Sequence, residues 1–239
     1  MKFTPNRIFI VDETGITTLQ GRPSKVVALK GRKQVGTLTS AERGELLTAV
    51  ICMSASGIFI PPMIIFPRVN MQQHFMHGVP PGTLGVTHKS GWMQIDLFTK
   101  WFDHFLIHTQ ASKDNPALLI LDGHKTHTQN IAVIEKAREN GVTILCLPPH
   151  CSHRMQPLHV SFMASLSTFY TAQVEVWLSQ NPGKCVTLPQ IGSLFGHAYL
   201  QALTPLNAIN GFKKTGIYPV DRTVFTDDMF AGSLPTERP

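Results

Sequence analysis

The chain has 239 residues, 43% of them hydrophobic and 15% charged, and Lys plus Arg exceed Asp plus Glu by 21 to 15 for a formal net charge of +6. That length buries one sizeable core, and that composition excludes an intrinsically disordered tail. No apolar run approaches the roughly 18 residues a membrane-spanning helix needs, and no signal-peptide core follows the N-terminus, so neither a helical membrane protein nor a secreted one is expected.

Residues 7–11 (RIFIV) are a short apolar run closed by Asp12-Glu13-Thr14-Gly15, the pattern of a strand and a turn. Further strands are predicted at 25–29 and 46–53. The connection between them is basic: Arg22, Lys25, Lys30, Arg32, Lys33 and Arg43 stand against a single acid, Glu42. Pro61 and Pro62 confine the run 58–66 to an edge or irregular strand, and 68–91 reads as a long surface excursion. From Asp96, the residues Leu97, Trp101, Phe105 and His108 share one helical face. Ala117 to Leu121 are five consecutive apolar residues before Asp122-Gly123, the mark of a strand buried on both faces. A helix over 128–140, stopped by Gly141, and a strand over 142–147 complete a parallel strand–helix–strand unit. A long helix begins near Gln156-Pro157, and two shorter helices fall between 188 and 224. These elements predict an α/β domain with a mixed sheet.

Four cysteines, Cys52, Cys146, Cys151 and Cys185, include no CxxC pair, and the spacing in CLPPHCSH matches no usual zinc finger or ribbon. Reduced thiols are expected. Two aspartates, Asp12 and Asp122, each close an apolar strand. Functional groups gather at the carboxyl ends of strands in α/β sheets, so the two are candidates for a shared divalent cation. The plainer reading of each is turn chemistry.

The stretches IFIVDETGITTLQ, KVVALKGRKQVGTLTSAERGELLT, KSGWMQIDLFTKWFDHF, LLILDGHKTH, ILCLPPHCSHRMQPLHVSFM and NGFKKTGIYP resemble the DDE domain of pogo/Tigger/jerky-type transposases and their transposable-element-derived relatives. The resemblance covers about residues 7–225, with the motifs in family order. It implies a ribonuclease-H-like fold, a mixed central sheet flanked by helices with a C-terminal helical extension. It also implies metal-dependent endonuclease chemistry, in which acids hold two divalent ions that act on a DNA phosphate. By this resemblance Asp12 is the first acid and Asp122 the second, and both are metal ligands. The third is expected just after Gln156-Pro157-Leu158, where this sequence has His159.

That replacement removes one negative charge and offers nitrogen, which suits Mn2+ or Zn2+ better than the hard Mg2+ ion. Glu13 adjoins Asp12 but points to the opposite face of a regular strand. The expected cofactor is Mg2+ or Mn2+ if the site is active, and otherwise none. His124, His127, His150 and His153 are assigned to the pocket rim, where they contact phosphate, orient a carboxylate, or bond to backbone. Lys30, Arg32, Lys33, Lys213 and Lys214 are the candidate DNA contacts.

Residues 1–180 are expected to be the catalytic-type core and 181–239 the C-terminal helices and tail of the same domain. The helix-turn-helix domains that precede such cores are not expected within this sequence. The resemblance implies a nuclear location, although no run of five or more Lys and Arg supplies an import signal. The function expected is a transposable-element-derived DDE-domain protein that binds nucleic acid with cleavage impaired or lost. The alternatives are an active metal-dependent endonuclease or transposase, and a scaffold or element relic that binds no DNA.

Overall fold

Along β1 (Ile8–Thr17), Ile8, Ile10 and Ile16 point into one apolar layer while Phe9 and Val11 point into another, so the strand is sandwiched between two cores. The computed structural model describes residues 3–18, 30–31, 44–149, 151–226 and 229. The other strands are β2 (Leu46–Ser54), β3 (Phe59–Phe66), β4 (Leu84–Thr87), β5 (Ala117–Leu121) and β6 (Val142–Cys146). They form one mixed sheet in the order β4-β3-β2-β1-β5-β6. β1 is antiparallel to β2 and β2 to β3, whereas the pairs β1/β5, β5/β6 and β3/β4 are parallel.

One face of the sheet is covered by α1 (Ile95–Thr109) and α3 (Ile131–Glu139), through Leu97, Trp101, Phe105, Val133 and Ala137. The opposite face is covered by α5 (Met163–Gln180), α6 (Leu188–Ala202) and α7 (Pro205–Lys214), whose Leu166, Phe195 and Phe212 share a core with Ile10 and Ile51. Two single-turn helices, α2 (Lys125–Thr128) and α4 (Ser152–Met155), follow β5 and β6. A π-helical turn, Leu158–Phe162, leads into α5; such turns are frequent at functional positions.

Three predicted boundaries change. β1 does not stop at Asp12: residues 12–17 continue pairing with β2, Asp12 opposite Ile51 and Thr17 opposite Leu46, so DETG is strand. The antiparallel partner supplies the backbone hydrogen bonds that a turn would otherwise provide. β3 is irregular, as its two prolines imply, but it lies in the interior of the sheet rather than at an edge. Its register shifts where Val50 pairs with Met63 and Cys52 with Ile60, which sets Pro61 and Pro62 together against Ile51. Two residues opposite one is a bulge, the arrangement that tolerates proline inside a sheet. The excursion after β3 contains a 3-10 turn, Gln73–Met76, and the parallel strand β4. The predicted strand at 25–29 lies outside the described residues.

Candidate functional site

The parallel pairing of β1 with β5 ends at Ile10 opposite Ile120, and two further residues on each chain bring Asp12 level with Asp122. The sheet therefore delivers the two aspartates to one edge, at the carboxyl end of β5. Asp12 is buried on the α5 side. Across from it, the π-helical turn presents His159, whose Nε2 lies 2.8 Å from Asp12 Oδ2. The contact is one of charge and proximity, since Oδ2 is buried without a hydrogen bond directed along a donor's N–H. The Asp12 carboxylate holds the His159 pKa above its usual value despite the opposing effect of burial, and Asp122 adds to the rise.

On the other side of the strand, Glu13 faces α1. Between Glu13 and Asp122 sits His127, its Nδ1 2.9 Å from Asp122 Oδ1 and its Nε2 3.0 Å from Glu13 Oε1. The side chain is 2% exposed and its ring lies against Phe98, with centroids 4.1 Å apart. Burial pushes the imidazole down, but the carboxylates on both nitrogens more than offset it and hold the pKa up at about 9. His127 is thus an imidazolium donating to two acids. The same contact is the largest influence on Asp122, whose pKa is lowered, with a further contribution from the His124 backbone N–H on Oδ1.

The remaining predicted residues separate into three groups. His124 is exposed, its Nδ1 2.8 Å from Thr126 Oγ1. His153 is exposed on α4, and Lys213 and Lys214 are exposed in the last turn of α7. Lys30 is exposed in a turn, while Arg32, Lys33 and His150 lie outside the described residues. Sequence reasoning placed Glu13 on the opposite face from Asp12 but missed its partnership with His127. The available signal was a histidine five residues after the second aspartate, close enough to reach back across the strand end.

Among the described residues, no three His, Cys, Asp or Glu side chains converge as a metal-holding group. The donor set as folded does not fit a pair of hard divalent cations. Asp122 and Glu13 share one imidazole, Asp12 faces another, and a histidine nitrogen is a poor ligand for Mg2+. His159 itself is 44% exposed at the sheet edge, with its proton affinity raised by Asp12.

The family described as DDE superfamily endonuclease matches residues 44–213, a span that includes Asp122 and His159 but not Asp12. Two solved structures share the fold. The Mos1 mariner paired end complex with Mn is 13% identical with a TM-score of 0.52, covering 94% of this chain and 58% of that one. The Mos1 transposase paired-end complex with left transposon end is 13% identical with a TM-score of 0.50, covering 92% and 57%. The six-stranded mixed sheet with flanking helices is the ribonuclease-H-like fold of these proteins. A curated protein named MFS-type transporter clz9, from Cochliobolus lunatus, is 24% identical over 217 residues. The match takes in 89% of this chain and 23% of that protein, so the chain spans under a quarter of its length. No helix among the described residues is long and apolar enough to cross a membrane.

Proposed function

The chain belongs to the DDE superfamily endonucleases, and from that membership we propose that it is a transposase-derived nuclear DNA-binding protein whose strand cleavage is impaired. In this reading residues 1–180 are the catalytic-type core and 181–239 its C-terminal extension. The DNA backbone runs along the sheet edge that carries Asp12, Asp122 and His159. Lys30, Lys213 and Lys214, with Arg32 and Lys33, contribute phosphate contacts.

The observation that carries the reading is His159 Nε2 at 2.8 Å from Asp12 Oδ2. A histidine in that place leaves the site one carboxylate short, offers nitrogen where a hard cation takes oxygen, and sets its Nε2 against the Asp12 carboxylate that the cation would need. Phosphate binding has no such requirement, because backbone recognition needs only cationic donors along the strand path.

A labelled DNA duplex incubated with wild-type protein and with His159→Asp, in Mg2+ and in Mn2+, tests this. The expected outcome is a gel shift by both proteins and cutting only by the Asp variant. Wild-type cutting in Mg2+ that Asp12→Asn abolishes would overturn the proposal in favour of an active nuclease. Absence of any shift would leave a fold retained without DNA binding.

A further inference from the structure

A cavity of about 350 Å3 opens beside Val160, one residue along the chain from His159. Four chain segments build it. The single turn α4 contributes His153 and Arg154, the π-helical turn contributes Val160, the C-terminal turn of α7 contributes Lys214, and the segment after it returns Val224, Phe225 and Met229.

Two glycines make that convergence possible. A Cβ on Gly211 would lie 2.5 Å from Ser161 Oγ and 2.6 Å from the Pro157 carbonyl oxygen, so only glycine lets α7 pack against the π-helical turn. Gly216, at a φ of +65°, then reverses the chain; a Cβ there would lie 2.2 Å from the Asp221 carbonyl oxygen and 2.7 Å from Val224 Cγ2. The Asp221 carboxylate accepts from the Thr223 N–H at 2.8 Å and fixes the turn that carries Val224 and Phe225.

The walls differ in chemistry. Arg154, Lys214 and His153 form the polar side, and Val160, Val224, Phe225 and Met229 the apolar side; among the described residues no acidic side chain lines the cavity. Arg154 and Lys214 are both exposed at the opening. An inorganic anion would use the cations and leave the apolar wall idle, and an apolar ligand would do the reverse. A nucleotide unit uses both, with its phosphate on a guanidinium and an ammonium and its base on an aromatic face. The volume falls in the range of roughly 300–1,000 Å3 typical of small-ligand sites.

We propose that this cavity is a nucleotide subsite, in which Arg154 and Lys214 hold a strand phosphate while Phe225 takes the adjoining base. The proposal rests on the DNA-binding reading and adds to it a preference for an unpaired nucleotide, since a base stacked within a duplex cannot reach Phe225.

The test uses a fluorescein-labelled oligothymidylate, with affinity read by anisotropy across a salt series. The double variant Arg154→Gln/Lys214→Gln is compared with Lys113→Gln/Lys184→Gln, which removes the same charge. Lys113 lies just before β5, at the far end of the sheet, and Lys184 follows the distal end of α5. Two lost phosphate contacts on a single strand reduce the log–log salt slope by roughly 1.4 and weaken binding roughly tenfold at 0.15 M salt. Phe225→Leu keeps the bulk and removes the ring face, so affinity falls roughly fivefold or more while the slope stays the same. Wild-type protein that binds, with the two double variants indistinguishable, overturns the subsite alone. The subsite is overturned in the same way if Phe225→Leu binds like wild type. Wild-type protein with no affinity for either this probe or a duplex removes the DNA-binding reading, and the subsite with it.

Discussion

Raising the pH through the alkaline range is expected to strip a proton from His127 and to remove roughly 3 kcal/mol of folding stability with it. Both ring nitrogens face carboxylates, at 2.9 and 3.0 Å, and the pKa stands at about 9 in the folded chain against a model-compound 6.5. A group whose folded pKa is raised contributes in full below its unfolded pKa and ceases to contribute above the folded one. At about 1.36 kcal/mol per tenfold change in proton affinity, the gap from 6.5 to about 9 gives that 3 kcal/mol. The contribution is whole below about pH 6, roughly halved near pH 8 and nearly absent above about pH 10. Against the ~5–15 kcal/mol by which domains are stable, this is a large share. Urea unfolding from pH 6 to 10 on wild type and His127→Gln reads it directly, because groups common to both proteins cancel in the difference. The wild-type advantage should shrink steadily as pH rises. Parallel pH profiles for the two proteins would refute the doubly paired imidazolium.

Asn130→Ala removes the cap of α3, since Asn130 Oδ1 accepts from the Val133 N–H at 3.2 Å while Nδ2 donates to the Ile95 carbonyl at 2.9 Å. About 1 kcal/mol for the cap and about as much for the lost hydrogen bonds from Nδ2 to the Ile95 carbonyl and Thr99 Oγ1 predict a Tm roughly 4–8 °C lower by calorimetry. Gly211→Val drives a side chain into Ser161 and the Pro157 carbonyl and should cost about 3 kcal/mol in urea unfolding; a neutral result would mean that α7 does not need this close approach. His159→Asp should make Tm respond to Mn2+ or Mg2+, by roughly 2.7 kcal/mol at a hundredfold excess over Kd, while wild type responds less. Equal responses would remove His159 as the obstacle to metal.

The parallel unit β5–α3–β6 was legible because burial on both faces removes alternation, and ALLIL shows none. The two cores were legible as helical stripes, Leu97-Trp101-Phe105 on α1 above all. What misled was local punctuation: DETG read as a turn and Pro61-Pro62 as the sign of an edge or irregular strand, yet DETG lies inside β1 and the prolines form a bulge in an interior strand, because distant partners complete the pairing or absorb it. Tertiary pairing overrides turn chemistry in just such places. At the site, the motif residues Asp12, Asp122 and His159 could be named from the sequence, but their pairing could not. That Glu13 would share His127 with Asp122 depends on the parallel register of β1 and β5, which no local pattern encodes.

Three carboxylates crowd this sheet edge: Asp12 and Glu13 are adjacent in the chain, and Asp122 is level with Asp12 across the parallel pairing. In a metal-loaded site, cations would offset their mutual repulsion. Here part of the offset comes from the His127 imidazolium between Glu13 and Asp122, while His159 lies against Asp12 with its proton affinity raised. With His127 charged, a proton on His159 would bring the local sum to three negative charges against two positive, or −1. Replacing His159 by aspartate would make it four against one, or −3, a cluster that folding tolerates poorly unless divalent ions enter. The histidine therefore does more than delete a ligand. It puts a group that can carry a positive charge where a fourth carboxylate would stand, which lowers the demand of the acid-bearing edge for a cation.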